Sequence, residues 1–204
     1  MEVKTGRLLV VATAPTFDRA KPASVDPALR ENRAFQEIYE PGSTGKIMTA
    51  AAALEEGKAT PTTPVIVPNR LHRSDRSFSD HNEHGTLSLT LAGVLAKSSN
   101  IGTMLVGEQL SPQTIDGYFR KFGIDSPTGV GFPGESPGIL ARPEKMSGSQ
   151  RYTILFGQGY SLNAIQAASV YQTIANGGLR VPPTLIEGTV TSDGSVDPAP
   201  ATTP

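Results

Sequence analysis

A serine and a lysine three residues apart form the pattern in this sequence that is best suited to covalent chemistry. Ser43-Thr-Gly-Lys46 stands at the predicted start of a helix running from Ser43 to about Glu56. Residues at i and i+3 share a helix face, so the Lys46 amine can reach the Ser43 hydroxyl. A serine hydroxyl is a weak nucleophile until a base takes its proton, and burial favours the neutral, basic form of lysine. The spacing therefore predicts acylation of Ser43 with Lys46 as the base.

The alternative for this pair is a helix-capping serine beside a solvated lysine. Two observations favour the chemical interpretation. The Ser-x-x-Lys pattern occurs once in the chain, and the helix that it opens is apolar nearly all round from Ile47 to Leu54. Such a helix belongs in the middle of a core. Its positive N-terminal end and the free Ser43 N–H would also stabilise an oxyanion.

Ser98-Ser-Asn100 is predicted to supply the groups that this pair lacks. A second hydroxyl near Lys46 could relay a proton to a leaving amine, and the Asn100 amide could bind a substrate amide. The alternative is a simple helix-breaking turn. Ser161-Leu-Asn163 has the same pattern, but an apolar helix follows it, so we expect Ser161 to cap that helix.

The elements that must position these residues follow from apolar periodicity and from Gly and Pro punctuation. Residues 1–190 are expected to form one partial domain and residues 191–204 a flexible tail. Residues 69–86 are polar and expected to be exposed. Beside the helix from Ser43, the predicted elements are strands at 7–14, 61–68 and 182–190, and helices at 86–97, 101–110, 112–122 and 162–175.

Composition excludes several classes of function. The chain has 204 residues with Lys+Arg 18 and Asp+Glu 19, giving a net charge of -1 and no basic surplus for binding nucleic acid. It contains no cysteine, which excludes disulfide scaffolds and thiol nucleophiles. No apolar run approaches the roughly 20 residues of a membrane helix, and no signal peptide follows Met1.

Five short blocks give the sequence a specific resemblance. It resembles the transpeptidase domain of class B penicillin-binding proteins, with actinobacterial division and elongation enzymes the nearest in pattern. The resemblance spans about residues 2 to 198. The blocks, which agree in order and spacing, are Glu40–Lys46, Lys97–Gly102, Phe156–Ser161, Ala175–Gly178 and Val181–Pro183.

The resemblance implies the α+β fold of penicillin-binding proteins and serine β-lactamases. In that fold a central antiparallel sheet would begin at residues 7–14, with the Ala-rich helix buried against it. By motif position, Ser43 would be the acylated nucleophile, Lys46 its base, Ser98 the proton relay and Asn100 the substrate-amide contact. The implied partners are D-Ala-D-Ala stem peptides of peptidoglycan and β-lactams, with no cofactor or metal.

One departure from the family pattern is large. A Lys-Thr/Ser-Gly motif is expected after Ser-x-Asn, and none follows residue 100. Lys4-Thr-Gly6 matches this motif but lies before Ser43 in the chain. We therefore expect a domain cut before its C-terminal strands and incomplete for catalysis, because losing one oxyanion donor alone can cost about 10²–10³ in rate. Gly45 is a smaller departure, since a bulkier residue is usual there.

The resemblance also implies a setting for the parent protein. It would be membrane-anchored on the extracytoplasmic face of the plasma membrane and would work with division or elongation proteins, its anchor lying outside this chain. Two alternatives to a transpeptidase stay open. One is a β-lactamase or β-lactam sensor of the same fold, and the other is a non-catalytic scaffold fragment of a division complex.

Three further patterns are weaker. Gly134-Glu-Ser-Pro-Gly138 fits a nucleophile elbow, but Pro137 lacks the N–H that its oxyanion hole needs. Gly129-Val-Gly-Phe-Pro-Gly134 fits a dinucleotide fingerprint without a following helix. A metal would need helical spacing of His81 and His84, with Asp80 and His72 nearby, and their polar surroundings indicate exposed side chains instead.

Overall fold

A computed structural model describes residues 1–198 of the chain as two compact units. The first unit combines Met1–Tyr39, Phe122–Gly138 and the chain from Leu162 onward, and the second combines Glu40–Lys121 with Ile139–Ser161. Helices mix with small antiparallel sheets in the described residues, which confirms the α+β class.

The regular elements are numbered in chain order. The helices are α1 (Pro27–Arg30), α2 (Arg33–Gln36), α3 (Lys46–Glu55), α4 (Leu91–Lys97), α5 (Asn100–Gly107), α6 (Pro112–Lys121), α7 (Gln150–Thr153) and α8 (Ala164–Ala175). The strands are β1 (Pro64–Val67), β2 (Arg70–Arg73), β3 (Arg76–Ser79), β4 (Leu87–Thr90), β5 (Gly188–Val190) and β6 (Val196–Pro198).

Helix α3 is the centre of the second unit. Met48, Ala52 and Ala53 are fully buried, as its apolar sequence predicted. Its small side chains let neighbouring elements approach closely, and α3 packs against α5 and α6. Within the described residues the core around α3 is helical, and every sheet has two strands.

The segment from 86 to 97 is half strand and half helix, which corrects the prediction of one helical piece. Strand β4 pairs antiparallel with β1, from Pro64 opposite Thr90 to Val67 opposite Leu87. Helix α4 begins only after Thr90, whose hydroxyl accepts from the Gly93 N–H at 3.1 Å. The pairing prevails over local helix propensity because β1, predicted within 61–68, offers its main-chain groups as partners.

The polar stretch from 69 to 86 contains a hairpin that its composition did not indicate. Strands β2 and β3 pair antiparallel, with Leu71 opposite Phe78 and both side chains buried. The turn residue Ser74 has φ +54°, a left-handed conformation that lets the chain reverse. The remaining side chains of this segment are mostly exposed, as expected.

The predicted strand at 7–14 in the first unit is absent. Arg7 forms a single parallel bridge with Thr184, and the Leu8 N–H donates to the Thr184 carbonyl at 2.9 Å. Beyond that point Leu9 and Val10 are 62% and 79% exposed. An apolar run becomes a strand only beside a partner strand, and among the described residues this run finds a partner at one residue.

Helix α8 begins at Ala164 and is capped by Asn163, which corrects the assignment of that role to Ser161. The Asn163 side chain accepts from the Gln166 N–H at 2.8 Å, and the Gln166 side chain accepts from the Asn163 N–H at 2.9 Å. This is a reciprocal capping box. Ser161 belongs to the second unit, where its backbone forms a bridge with Ile139.

The end of the first unit also differs from expectation. Of the predicted strand at 182–190, the segment Gly188–Val190 is β5, and it pairs with β6. The predicted tail of 191–204 thus contains half of a hairpin, and residues 199–204 of it lie outside the described residues. Within residues 1–198, no helix is both long and apolar enough to cross a membrane.

Replacing the observed cap residue should destabilise the protein more than replacing the predicted one. We expect Asn163→Ala to lower the free energy of unfolding by about 1–2 kcal/mol, because it removes both the cap and a buried hydrogen bond to the Ser136 carbonyl. Ser161→Ala should change it by less than about 0.5 kcal/mol. Urea denaturation of both variants measures the difference, and the reverse order would contradict the cap assignment.

Candidate active site

Ser43 is presented by a tight turn at the start of α3. Residues Gly42–Gly45 form a 3-10 turn, and the Lys46 N–H donates to the Ser43 carbonyl. Gly42 has φ +55°, and its N–H donates to the Gly157 carbonyl at 2.8 Å. The turn is thereby fixed by a contact with a distant loop, and the Ser43 side chain stays exposed.

Gly157 is essential to this contact for steric reasons. Its φ is +98°, a region that side-chain-bearing residues rarely adopt. A Cβ placed on Gly157 would overlap the Gly42 carbonyl oxygen. The loop that carries Gly157 can therefore approach the Ser43 turn only because this residue has no side chain.

Gly45 has a packing role that its helix propensity did not reveal. The residue is buried, and a Cβ at this position would overlap the Tyr160 hydroxyl oxygen. Tyr160 is 2% exposed and packs against Phe119 with ring centroids 5.2 Å apart. The space that a bulkier residue would take at position 45 is thus occupied by the Tyr160 phenol.

The Lys46 amine is buried and points to the Ser98 bend. Lys46 is 2% exposed, and its Nζ donates to Ser98 Oγ at 3.0 Å and to the Ser98 carbonyl. Burial lowers the pKa of Lys46 to about 8, against an opposing effect of the Asp80 charge. Near neutral pH a useful fraction of this amine is therefore neutral and able to accept a proton.

The hydrogen bonds of Lys46 Nζ in the described residues go to Ser98 and not to Ser43. Ser43 and Lys46 lie one turn apart, as their spacing required, but the amine is turned toward Ser98. Ser98 offers both a hydroxyl and a carbonyl oxygen, which satisfy two of the amine's donors. Since a buried amine needs such acceptors, they favour this orientation.

The Ser98–Asn100 bend joins α4 to α5. Ser98 ends α4 with φ +55°, and Ser99 caps α5 by accepting from the Gly102 N–H at 2.8 Å. The Asn100 side chain donates to the Ser79 carbonyl at 3.2 Å. The bend therefore aims Ser98 at Lys46 while Asn100 lies beside the end of β3.

Three of the four predicted site residues line one cavity of about 580 Å³ in the second unit, and the fourth, Lys46, lies buried beneath it with its amine on Ser98. The structure thus brings Ser43, Ser98 and Asn100 together around one space. The other lining residues are Gly42, Asp80, His81, Asn82, Glu83, His84, Leu87, Lys97, Phe156 and Gln158.

Asp80 is the site residue that sequence reasoning missed, having weighed it only as a metal ligand. Its carboxylate accepts from Ser99 Oγ at 2.7 Å, from the Ile101 N–H at 2.9 Å and from His84 Nε2 at 3.1 Å. Burial raises the pKa of Asp80, but these hydrogen bonds outweigh it and the pKa lies below its ordinary value. No local pattern marks a residue that acts across about twenty positions of sequence.

In the described part of the chain, the weaker sequence patterns do not form a functional site. Across residues 1–198, no group of three or more His, Asp or Glu side chains is arranged to hold a metal ion. Lys4, the lysine of the Lys4-Thr-Gly6 pattern, donates to the Asn176 side chain at 2.8 Å in the first unit. Ser136, of the elbow-like pattern, donates its N–H to the Phe35 carbonyl at 2.9 Å.

Comparison with known proteins identifies the family of this chain. The family model described as the penicillin binding protein transpeptidase domain matches residues 1–203. The chain is 39% identical over 198 residues to the penicillin-binding protein PbpB of Mycolicibacterium smegmatis, a match that covers 96% of the chain and 30% of that protein. It is 29% identical to the peptidoglycan D,D-transpeptidase FtsI of Escherichia coli, over 89% of the chain and 30% of that protein.

Solved structures give the same result. The crystal structure of penicillin-binding protein 3 from Mycobacterium tuberculosis in complex with aztreonam superposes with a TM-score of 0.91 at 37% identity, covering 99% of this chain and 45% of that one. Its complex with ampicillin gives a TM-score of 0.87 at 36% identity, again over 99% and 45%.

The chain belongs to the penicillin-binding protein transpeptidase family. This confirms the predicted resemblance, including its actinobacterial character, since the PbpB relative is mycobacterial. The chain spans about 30% of the length of these two curated relatives.

Because Gly157 lies so close to Gly42, one added methyl group at position 157 should strongly lower the stability of the protein. Gly157→Ala should lower the free energy of unfolding by about 2–4 kcal/mol, because left-handed strain adds to overlap with the Gly42 carbonyl. Gly57→Ala is the matched control, since Gly57 has φ +62° with no atom within 4 Å of its Cβ position, and it should cost about 1–2 kcal/mol. Chemical denaturation compares the two, and equal losses would contradict a steric role for Gly157.

Proposed function

We propose that this chain carries the acyl-enzyme centre of a peptidoglycan D,D-transpeptidase, with Ser43 as nucleophile. The observation that carries the proposal is the buried Lys46 amine, which is hydrogen-bonded to Ser98 next to a cavity lined by Ser43. A poised base, a second hydroxyl and an accessible first hydroxyl are the groups that serine acylation requires.

In the acylation step, Ser43 Oγ attacks the carbonyl carbon of the D-Ala-D-Ala peptide bond. The hydroxyl proton passes to the neutral Lys46 amine, and the Ser43 N–H at the start of α3 stabilises the oxyanion. The C–N bond then breaks. The leaving amine of the terminal D-Ala takes a proton from Lys46 through the Ser98 hydroxyl, which leaves an ester on Ser43.

In the transfer step, an amine of a second stem peptide attacks this ester. A new amide forms, and the Ser43 oxygen recovers a proton as it leaves. The Asn100 side chain, which both donates and accepts, holds a substrate amide near the bend. A β-lactam would acylate the same serine by opening its ring amide, and its amine would stay tethered to the acyl group.

The relatives support this assignment. The FtsI relative is named a peptidoglycan D,D-transpeptidase, and the penicillin-binding protein 3 of Mycobacterium tuberculosis has been solved with aztreonam and with ampicillin. We extend peptidoglycan chemistry and β-lactam binding to this chain on the basis of similarity and of the Ser43–Lys46–Ser98 geometry.

The setting of the whole protein is also a proposal. We propose that it acts at the extracytoplasmic face of the plasma membrane, where peptidoglycan stem peptides are available, and with proteins of a division or elongation complex. Fractionation of cells that produce the tagged protein tests the location, and its recovery away from the membrane fraction would contradict it.

Removing the nucleophile should abolish covalent labelling. The experiment uses the longest polypeptide that contains this sequence. We expect penicillin to form a covalent adduct with the wild-type protein, which increases its mass by the mass of penicillin. Ser43→Ala should form no adduct. Intact-protein mass spectrometry measures the adduct. Ser136→Ala, which changes the serine of the elbow-like pattern, is the matched control and should label as the wild type does.

Three results would contradict the proposal. An adduct that persists in Ser43→Ala would remove Ser43 from the role of nucleophile. Absence of an adduct on a folded wild type would favour a non-catalytic scaffold. Rapid turnover of a chromogenic β-lactam by the wild type would favour a β-lactamase instead, since a transpeptidase releases the opened β-lactam slowly.

The depressed pKa of Lys46 sets the direction of the pH dependence. Burial lowers this pKa to about 8, so the neutral, basic form increases as the pH rises through 8. The rate constant for acylation by penicillin should therefore increase between pH 6.5 and 9 and reach half of its maximum near pH 8. Lys58→Met, at an exposed position, should keep this profile. A rate that is flat or that falls over this range would contradict Lys46 as the base.

A further inference from the structure

Asp80 lies at the end of the β2–β3 hairpin and reaches the N-terminal end of α5. Its Oδ1 accepts from the Ile101 N–H at 2.9 Å, and its Oδ2 accepts from Ser99 Oγ at 2.7 Å. Ser99 directly follows Ser98 in the chain, and Ile101 lies three residues after it. Because the carboxylate binds the bend at two points, it restricts the position and orientation of the Ser98 backbone.

The bend needs such an external support. Ser98 has φ +55°, a left-handed conformation that is strained for a residue with a side chain. A strained residue keeps its conformation only when its surroundings hold it there. Ser98 also presents two acceptors to Lys46, its hydroxyl and its carbonyl, so a change in its backbone would disturb both contacts.

Asp80 also carries the negative charge that acts on the Lys46 amine. This charge favours the ammonium form and opposes the effect of burial on the pKa of Lys46. His84 faces the same carboxylate through Nε2, while its Nδ1 lies against the Gly85 carbonyl. Lys97 is the further cation that acts on His84. The groups in contact with Asp80 are thus His84 and the donors of the bend, and its charge acts on Lys46.

We propose that Asp80 is a positioning residue of this site, whose carboxylate fixes the Ser98–Asn100 bend against the Lys46 amine and supplies a negative charge that acts on this amine. The inference rests on the proposed function, since it concerns the same acylation of Ser43. It assigns two separable effects to one carboxylate: the geometry of the bend and the charge state of the base.

Two variants separate these effects. Asp80→Asn removes the charge and one of the acceptors while keeping the size of the side chain. Ser99→Ala keeps the charge but removes the hydroxyl that joins the bend to Oδ2. Asp75→Asn, in the exposed turn of the same hairpin, is the control for a loss of one negative charge.

The first measurement is the rate constant for penicillin acylation, determined from pH 6.5 to 9.5. We expect Asp80→Asn to fall by about 10²-fold at its optimum, since a small misplacement of reacting groups has that effect. Its half-maximal rate should also move to lower pH. Ser99→Ala should have a lower acylation rate constant but the same pH profile as the wild type. Asp75→Asn should match the wild type in both rate constant and pH profile.

The second measurement is a titration of Lys46 by NMR, with ¹³C at the lysine Cε. The wild-type midpoint is expected at about 8, and Asp80→Asn should titrate at lower pH because the opposite charge is gone. A solely structural role for Asp80 would leave this midpoint in place. The titration needs no substrate, so it tests the charge effect independently of acylation.

The outcomes are distinguishable. If Asp80→Asn keeps the wild-type rate and the wild-type Lys46 midpoint, the inference about Asp80 is wrong. If the wild type forms no adduct, the proposed function fails, and the Lys46 midpoint still decides whether Asp80 acts on the amine. If circular dichroism shows that Asp80→Asn is unfolded, Ser99→Ala decides, and an unchanged acylation rate there overturns the inference.

Discussion

The burial of one amine is the constraint around which the second unit is organised. Lys46 is 2% exposed, and an ammonium group taken out of water is stable only where it finds hydrogen-bond acceptors and compensating charge. Ser98 provides the acceptors and Asp80 the charge. The apolar residues of α3 around Lys46 keep water away, and the pKa near 8 results from these opposing effects.

The turn before α3 has to satisfy a second constraint, since it must expose Ser43 while the next helical turn is buried. The contact between Gly42 and Gly157 achieves this by fixing the chain just ahead of the serine. Ser43, Lys46 and the Ser98–Asn100 bend therefore depend on three loops that are far apart in sequence. This explains why the functional residues occur as separated short blocks, each at the end of a helix or in a turn.

Much of the site could be predicted from the sequence because its parts are local. The Ser43–Lys46 spacing, the apolar run of α3 and the break at Ser98 each have a signal within a few residues. The same reasoning predicted α6, from Ser111-Pro112 to Gly123, because capping and Pro signals are local too. The common orientation of these pieces toward one cavity was inferred from chemistry and from family resemblance.

The predictions that the structure corrects concern residues whose partners are distant in sequence. Residues 7–14 have strand composition, but the described residues offer them only Thr184 as a partner. Leu87–Thr90 was assigned to a helix because β1, more than twenty residues earlier, was not weighed as its partner. Asp80 had no signal at all, since its role arises only when a hairpin places it against the start of α5. Ser161 was predicted as the cap of α8, but the capping box pairs Asn163 with Gln166.

The packing of Tyr160 into the space beside Gly45 means that two positions more than a hundred residues apart share one volume. Natural variation at one position is then restricted by the residue at the other. Homologous chains with a larger residue at the first position must accommodate it by shrinking or displacing the aromatic group at the second. Correlated substitution at positions 45 and 160 would show how closely the loop of residues 157–160 packs against the turn that contains Ser43.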